Sequence, residues 1–307
     1  MKAYFEKLER STFLFRNMFI IVLFCVAVLY SNWKISDSNK HEPEKSNCGV
    51  ILFVHINKCG GGSVVHWFKQ HTSVLHLKQE GRPRITQDFN DSSILWQKVI
   101  PKVNEAISNL SNRSGWKVLH LHHYFPGIFY VQKIIQNWKN IVQRKGCAFH
   151  KTTMLRDPLH RFISNVNFNK PPINTIDKFM KSRRNWLIRY FLFGICGYYN
   201  NEISCGYNPK GDFTMTSNLN ETHIREAKKI IYKLDSIGFM EEFGDYLEKI
   251  RMITGWTNDA YSIENVTIHK SSDYFNMTSK LLSNFIKLNQ DDYMFYYTIK
   301  NKMIKVF

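Results

Sequence analysis

Apolar and polar positions along the chain follow two rhythms. Short continuous apolar runs occur at residues 50–54 (VILFV), 117–122 (KVLHLH), 152–156 (TTMLR) and 236–240 (SIGFM), with a weaker one at 73–77 (SVLHL). Runs of this length bounded by Gly, Pro, Asn or Asp predict buried strands. Between them, apolar residues at a period near 3.6 predict helices from residue 64 onward and over 94–110, 128–143, 159–167, 183–193, 221–234, 243–254 and 279–306, with 79–93 read as loop. The apolar stripe of the last helix reads as core, not as a cofactor box. Strands alternating with helices predict an α/β fold around a parallel sheet, whose ligands sit at the carboxyl ends of the strands. The glycine-rich turn after the first strand, His122 after the third and Arg156 after the fourth all fall at such ends. No internal repeat or low-complexity tract interrupts the pattern.

One apolar stretch stands outside it. Residues 17–33 (NMFIIVLFCVAVLYSNW) carry no charge and follow Lys2, Lys7, Arg10 and Arg16. About seventeen residues suffice to cross a thin membrane, and the preceding cations keep the N-terminus cytosolic. The expected order is a cytosolic tail (1–16), a transmembrane signal-anchor (17–33), a polar stem (34–47) and a lumenal domain (48–307). A cleaved signal peptide is the alternative, and it leads to the same secretory compartment. Six N-x-[ST] sequons, at Asn90, Asn109, Asn112, Asn220, Asn265 and Asn276, agree with a glycosylated lumenal surface. Outside the span, Cys48, Cys59, Cys147, Cys196 and Cys205 allow two disulfides and one free thiol. Cys196 and Cys205, which bracket a polar loop, are the first choice for a pair; the pairing of the other three stays open. A net charge of +17 calls for a polyanionic partner, and lumenal topology removes nucleic acid from the choices. The 307 residues, 44% of them hydrophobic, suffice for one substantial domain.

The turn at residues 57–63 (NKCGGGS) joins strand to helix, with Ser63 as the expected helix cap. Glycines there let backbone N–H groups approach an anion at a helix N-terminus. Lys58 precedes the glycines, whereas the nucleotide-binding Walker pattern places its lysine after them, so an ATP- or GTP-binding loop and a nucleotide kinase fit poorly. Arg156, with Asp157-Pro158 turning the chain and Ser164 one or two helical turns on, offers a guanidinium and a hydroxyl to a second phosphate; the plainer reading is that Arg156–Asp157 and Arg161 are structural ion pairs. His120 and His122 alternate onto one strand face while His123 points away. A metal site from that histidine pair lacks further ligands in the sequence nearby, so no metal is expected. Lys133, Lys139, Arg144, Lys145, Lys181, Arg183, Arg184 and Arg189 are candidates for contacting an acidic ligand.

Together, Asn57-Lys58-Cys59-Gly60-Gly61-Gly62-Ser63 and Arg156-Asp157-Pro158-Leu159-His160-Arg161-Phe162-Ile163-Ser164 resemble the 5′-phosphosulfate loop and 3′-phosphate motif of Golgi carbohydrate sulfotransferases. Within that group the chain most resembles the uronyl and heparan sulfate 2-O-sulfotransferases, through the His120-x-His122 strand end, the later cysteine pair, Glu241-Glu242 and His269-Lys270-Ser271-Ser272. The resemblance implies a P-loop-like three-layer α/β/α domain in a single-pass type II Golgi membrane protein. It implies a PAPS-dependent enzyme (3′-phosphoadenosine 5′-phosphosulfate, product PAP) that sulfates a glycosaminoglycan, foremost at the 2-O position of a uronic acid. By the same resemblance Lys58 contacts the 5′-phosphate and bridging oxygen, with Gly60, Gly61, Gly62, Ser63 and Val64 around the phosphosulfate. Arg156 and Ser164 hold the 3′-phosphate, His122 is the catalytic base, His120 a second active-site histidine, and Lys270 and Ser271 match a cofactor-side loop. Asn57 replaces the usual proline, and Gly62 replaces a threonine or arginine. A sibling acting at glucosamine 6-O or galactose 3-O, and a catalytically silent polyanion-binding Golgi protein, are the alternatives; homo-oligomerisation stays open.

Overall fold

The computed structural model describes residues 46–78, 90–111, 114–122, 128–181, 183–193, 197–199, 202–204, 219–257 and 277–304. The expected cytosolic tail, span and most of the stem lie outside these residues, as do Cys196, Cys205, Asn112, Asn265, Asn276, Lys270 and Ser271. Among the described residues no helix is long and apolar enough to cross a membrane.

The predicted strands form as β1 (Gly49–His55), β2 (Val74–Lys78), β3 (Trp116–His122) and β4 (Ala148–Leu155). A short hairpin, β5 (Gly197–Tyr199) and β6 (Glu202–Ser204), lies in the polar loop between the two cysteines and was not expected there; β7 (Ser236–Phe239) completes the set. Strands β2-β3-β1-β4-β7 make one sheet in that order, and all its pairings are parallel. β1, central and buried at every position, runs between β3 and β4. The chain leaves β1 toward β2 on one side and leaves β4 toward β7 on the other. The carboxyl ends of β1 and β4 therefore flank the switch point where open α/β sheets bind ligands.

Helices flank the sheet: α1 (Gly61–His71), α2 (Asn90–Ser108), α3 (Ile128–Arg144), α4 (Pro158–Asn169), α5 (Ile176–Lys181), α6 (Trp186–Phe193), α7 (Glu221–Ile231), α8 (Phe243–Thr254), α9 (Ser279–Leu288) and α10 (Gln290–Ile304). The expected helix over 183–193 starts only at Trp186, because Asn185 takes a left-handed backbone (φ 46°). Helix α6 is buried from Trp186 to Leu192, with Leu187, Ile188, Tyr190, Phe191 and Leu192 in the main core, and is apolar on every side but that of Arg189. The single helix expected over 279–306 is two, broken at Asn289. Residues at the break serve α6 instead: Asn185 N–H donates to Asn289 Oδ1 (2.9 Å), and Asp292 accepts from Leu187 N (2.8 Å) and Ile188 N (3.1 Å). Asp292 thus caps α6 from another helix, which satisfies amides that would otherwise be orphaned. A disulfide, Cys48–Cys147, ties the residues preceding β1 and β4, 99 positions apart. It closes one of the pairings left open in the sequence and sits at the sheet end opposite the switch point.

Candidate anion and histidine site

The loop after β1 turns tightly, with Cys59 N–H donating to Ile56 O (3.3 Å). Lys58 and Gly60 both take left-handed backbones (φ 67° and 77°). Gly60, not Ser63, is the N-cap of α1, and the first helical bond runs from Val64 N to Gly60 O (3.2 Å). The helix starts earlier than expected because glycine adopts the left-handed conformation at no steric cost; Ser63 lies inside the first turn, buried. The amides of Gly61, Gly62 and Ser63 precede any intrahelical acceptor, the standard condition for anion binding at a helix start. A β-carbon on Gly61 would overlap the His55 ring, and one on Gly60 would overlap Met240 Sδ, so both positions exclude larger residues. Cys59 is buried beneath the loop, and burial pushes its thiol up to about 12, which makes it inert at neutral pH.

Arg156 leaves the end of β4 and donates from Nη1 to Lys58 O (3.3 Å), which brings the two predicted anion motifs together across the switch point. Asp157 does not pair with Arg156; it caps α4, accepting from Leu159 N (2.9 Å) and His160 N (3.1 Å). Its own N–H donates to Glu241 Oε1 (3.0 Å), which anchors the turn to the end of β7. Ser164, half-buried, lies one helical turn before Phe168, and Lys58 Nζ rests 3.5 Å from the centre of the exposed Phe168 ring. Burial, and then the neighbouring Arg156 charge, hold the Lys58 ammonium below the usual lysine pKa. Arg161 is fully buried with its charge toward Asp292, the structural role anticipated for it.

The parallel register aligns His55 with His122, and His76 with His120. His120 Nε2 lies 2.8 Å from His55 Nδ1, and His120 Nδ1 lies 2.8 Å from His76 Nδ1. His122 stacks on His55 with ring centres 3.9 Å apart and planes 18° from parallel. Its Nδ1 is 3.5 Å from His55 O, which also accepts from Tyr190 Oη (2.8 Å). A neutral His122 that donates from Nδ1–H to that carbonyl carries its lone pair on Nε2, the tautomer a general base needs. His55 and His76 did not stand out in the sequence. Their signal was the alternation of VHIN and LHL against HLH, readable only once strand neighbours and register are known.

His55, His120 and His122 place one nitrogen each within 4.8 Å of one another. A tetrahedral ion at 2.0–2.1 Å from each nitrogen needs them about 3.3 Å apart, with the ion in every ring plane. The near-parallel planes of His55 and His122, stacked face to face, do not meet at such a point as they stand; His55 and His120 are bonded to each other, and His122 stacks on both.

Of the basic residues assigned to an acidic ligand, Arg189 is a correction: it is buried (1% exposed) in the core beside Asp292, because α6 is an interior helix. Arg183 lies over the Phe179 and Trp186 rings, and burial lowers it to about 10. Lys181 pairs with Asp177 (2.6 Å), and Lys145 donates to Ser108 O (2.8 Å) at the end of α2. Lys133 and Arg144 are exposed on α3, with Lys139 and Arg184 half-buried. Among the sequons, Asn109 is exposed, Asn220 is exposed and caps α7 through His223 N (3.0 Å), and Asn90 is the first residue of α2. No protein-family model matches the chain, and no curated protein matches it.

Proposed function

We propose that the chain is a PAPS-dependent sulfotransferase that acts on a glycosaminoglycan, foremost at the 2-O position of a uronic acid, from the lumenal side of the Golgi membrane as a single-pass type II protein. The observation that carries this reading is the 3.3 Å bond from Arg156 Nη1 to Lys58 O at the switch point, which joins the two motifs that resemble the 5′- and 3′-phosphate sites. The residues present fit a phosphosulfate. Three first-turn amides of α1, the Lys58 ammonium and the Arg156 guanidinium lie at the adjacent carboxyl ends of β1 and β4, and among the described residues no carboxylate pairs with either cation. Gly60 and Gly61 let the loop backbone lie directly against Met240 and the His55 ring, where no larger residue would fit.

PAPS supplies an activated sulfonate: the acceptor oxygen bonds to sulfur as the bond from sulfur to the 5′-phosphate oxygen breaks, and the electron pair leaves on that phosphate. Lys58 and the amides at the start of α1 neutralise the charge that develops there. Arg156 and Ser164 hold the 3′-phosphate and orient the nucleotide. His122 Nε2 accepts the hydroxyl proton, and His55, through its carbonyl, keeps the receiving nitrogen unprotonated. Lys133, near the start of α3, together with Lys270 and Ser271 beyond the described residues, completes the binding of acidic ligands; Arg144, at the other end of α3, lies toward the disulfide end of the sheet.

Calorimetry with PAP and with AMP tests the 3′-phosphate assignment. The wild type should prefer PAP, and Arg156→Ala should lose about 1.5–3 kcal/mol of that preference, the worth of a hydrogen bond to a charged group. Equal PAP preference in the variant would remove Arg156 from the site. The sibling reaction at glucosamine 6-O or galactose 3-O is separated by which hydroxyl carries the product label.

A further inference from the structure

Two hydrogen bonds run through three imidazoles from the edge strand to the floor of the glycine loop. His76 on β2 is exposed, whereas His120 on β3 and His55 on β1 are buried (6% and 9% exposed). Each N···N distance is 2.8 Å, and each bond needs one proton between its nitrogens. A neutral imidazole carries a single N–H, so His120 donates to one neighbour and accepts from the other. The tautomers of the three rings are therefore locked together. Both His120 nitrogens are engaged within the cluster, which leaves it no lone pair to offer an acceptor hydroxyl. His55 receives the chain at Nδ1, carries His122 on its ring face at 3.9 Å, and supplies the carbonyl opposite His122 Nδ1.

We infer that His76, His120 and His55 are positioning residues for His122: the chain couples the tautomer of His55 to those of its neighbours and holds its ring tilt, and that ring in turn holds the His122 ring stacked on it, while the His55 backbone carbonyl faces His122 Nδ1. This rests on the sulfotransferase reading for its consequence, though not for its geometry. His122 takes up the proton in the transition state, and the neutral His55 face under it stabilises the resulting imidazolium. The solvent end is the place to perturb, because His76 is exposed and its loss removes one partner of His120 without opening the core.

The test uses the full chain in detergent solution with 15N-labelled histidine. His76→Leu is expected to shift the ring 15N resonances of His120 and His55. It is expected to lower kcat for sulfonate transfer about 3–10-fold, the range for losing one hydrogen bond, with KM for PAPS within about twofold. His76→Gln, which can still donate or accept at that position, should restore most of kcat. Unchanged His120 and His55 resonances in His76→Leu would overturn the chain. Shifted resonances with unchanged kcat would overturn its role in positioning His122, as would a loss of kcat that Gln fails to restore. A wild-type protein that transfers no sulfonate yet shows the shifts would refute the functional reading and keep the chain.

Discussion

Replacing Gly61 by alanine puts a methyl group where the His55 ring already lies, against Cδ2, Nε2 and Cγ. That ring cannot easily yield: it stacks on His122 at 3.9 Å and on Phe53 at 5.8 Å, and its Nδ1 is bonded to His120. Overpacking of this kind costs about 1–3 kcal/mol, while alanine recovers about 0.5–1 kcal/mol as a better helix former than glycine. Contacts this close with a ring held in place fall in the upper part of that range, about 2–3 kcal/mol, so the net loss is about 1–2.5 kcal/mol, and at about 2–4 °C per kcal/mol for a domain of this size the melting midpoint should fall by about 2–10 °C. Gly244→Ala in α8 is the internal control, since a β-carbon there meets nothing within 4 Å. It should raise stability by about 0.5–1 kcal/mol. Thermal unfolding of wild type and both variants in one buffer decides the matter. A Gly61→Ala protein that melts at or above wild type would refute the close approach of His55 to the loop, and with it the account of why glycine occupies this position.

Asp292→Ala removes the acceptor for two α6 amides and the buried anion facing Arg161 and Arg189, so it should cost about 3–5 kcal/mol, read as a lower urea midpoint; a loss under about 1 kcal/mol would exclude the capping role. His150, bonded to Ser236 Oγ at 2.8 Å, has its pKa held below 6.5 by burial. The unfolded chain thus binds that proton more readily, and the stability His150 contributes is present above pH 6.5 and is lost as the pH falls below it. Asp292, pushed up to about 6 by burial, runs the other way, its contribution falling as the pH rises through that value. The measurement is therefore the lead of wild type over His150→Gln, which should narrow between about pH 7.5 and pH 5; a constant lead would contradict the assignment. Replacing Cys48 and Cys147 by alanine opens a link across 99 positions and should cost about 4–5 kcal/mol in the chain-entropy account, visible in denaturant unfolding. An unchanged midpoint would refute it.

The strands were legible because β1, β3, β4 and β7 are continuous apolar runs, and a parallel sheet buried on both faces produces that pattern. The two anion motifs were legible because each is a local string ending a strand. What stayed hidden depends on contacts between distant segments. The Asn289–Asp292 stretch keeps the helical period, so the break between α9 and α10 shows only through its service to Asn185 and α6. The Cys48–Cys147 pair was implicit in the topology, because each cysteine directly precedes one of two adjacent parallel strands. Strand order supplies that adjacency, and spacing along the chain does not. His55 and His76 were hidden for the same reason: each is a lone histidine in an apolar run until the register sets it beside His122 or His120.

The most direct test of the central claim is sulfonate transfer by the full chain from labelled PAPS to desulfated heparan, chondroitin and dermatan chains, with disaccharide analysis of the product and with Lys58→Ala and His122→Ala alongside. The account predicts label at C2 of the uronic acid, lost in both variants. No label on any acceptor, with PAP still bound, would contradict it and leave a polyanion-binding protein that retains the cofactor site.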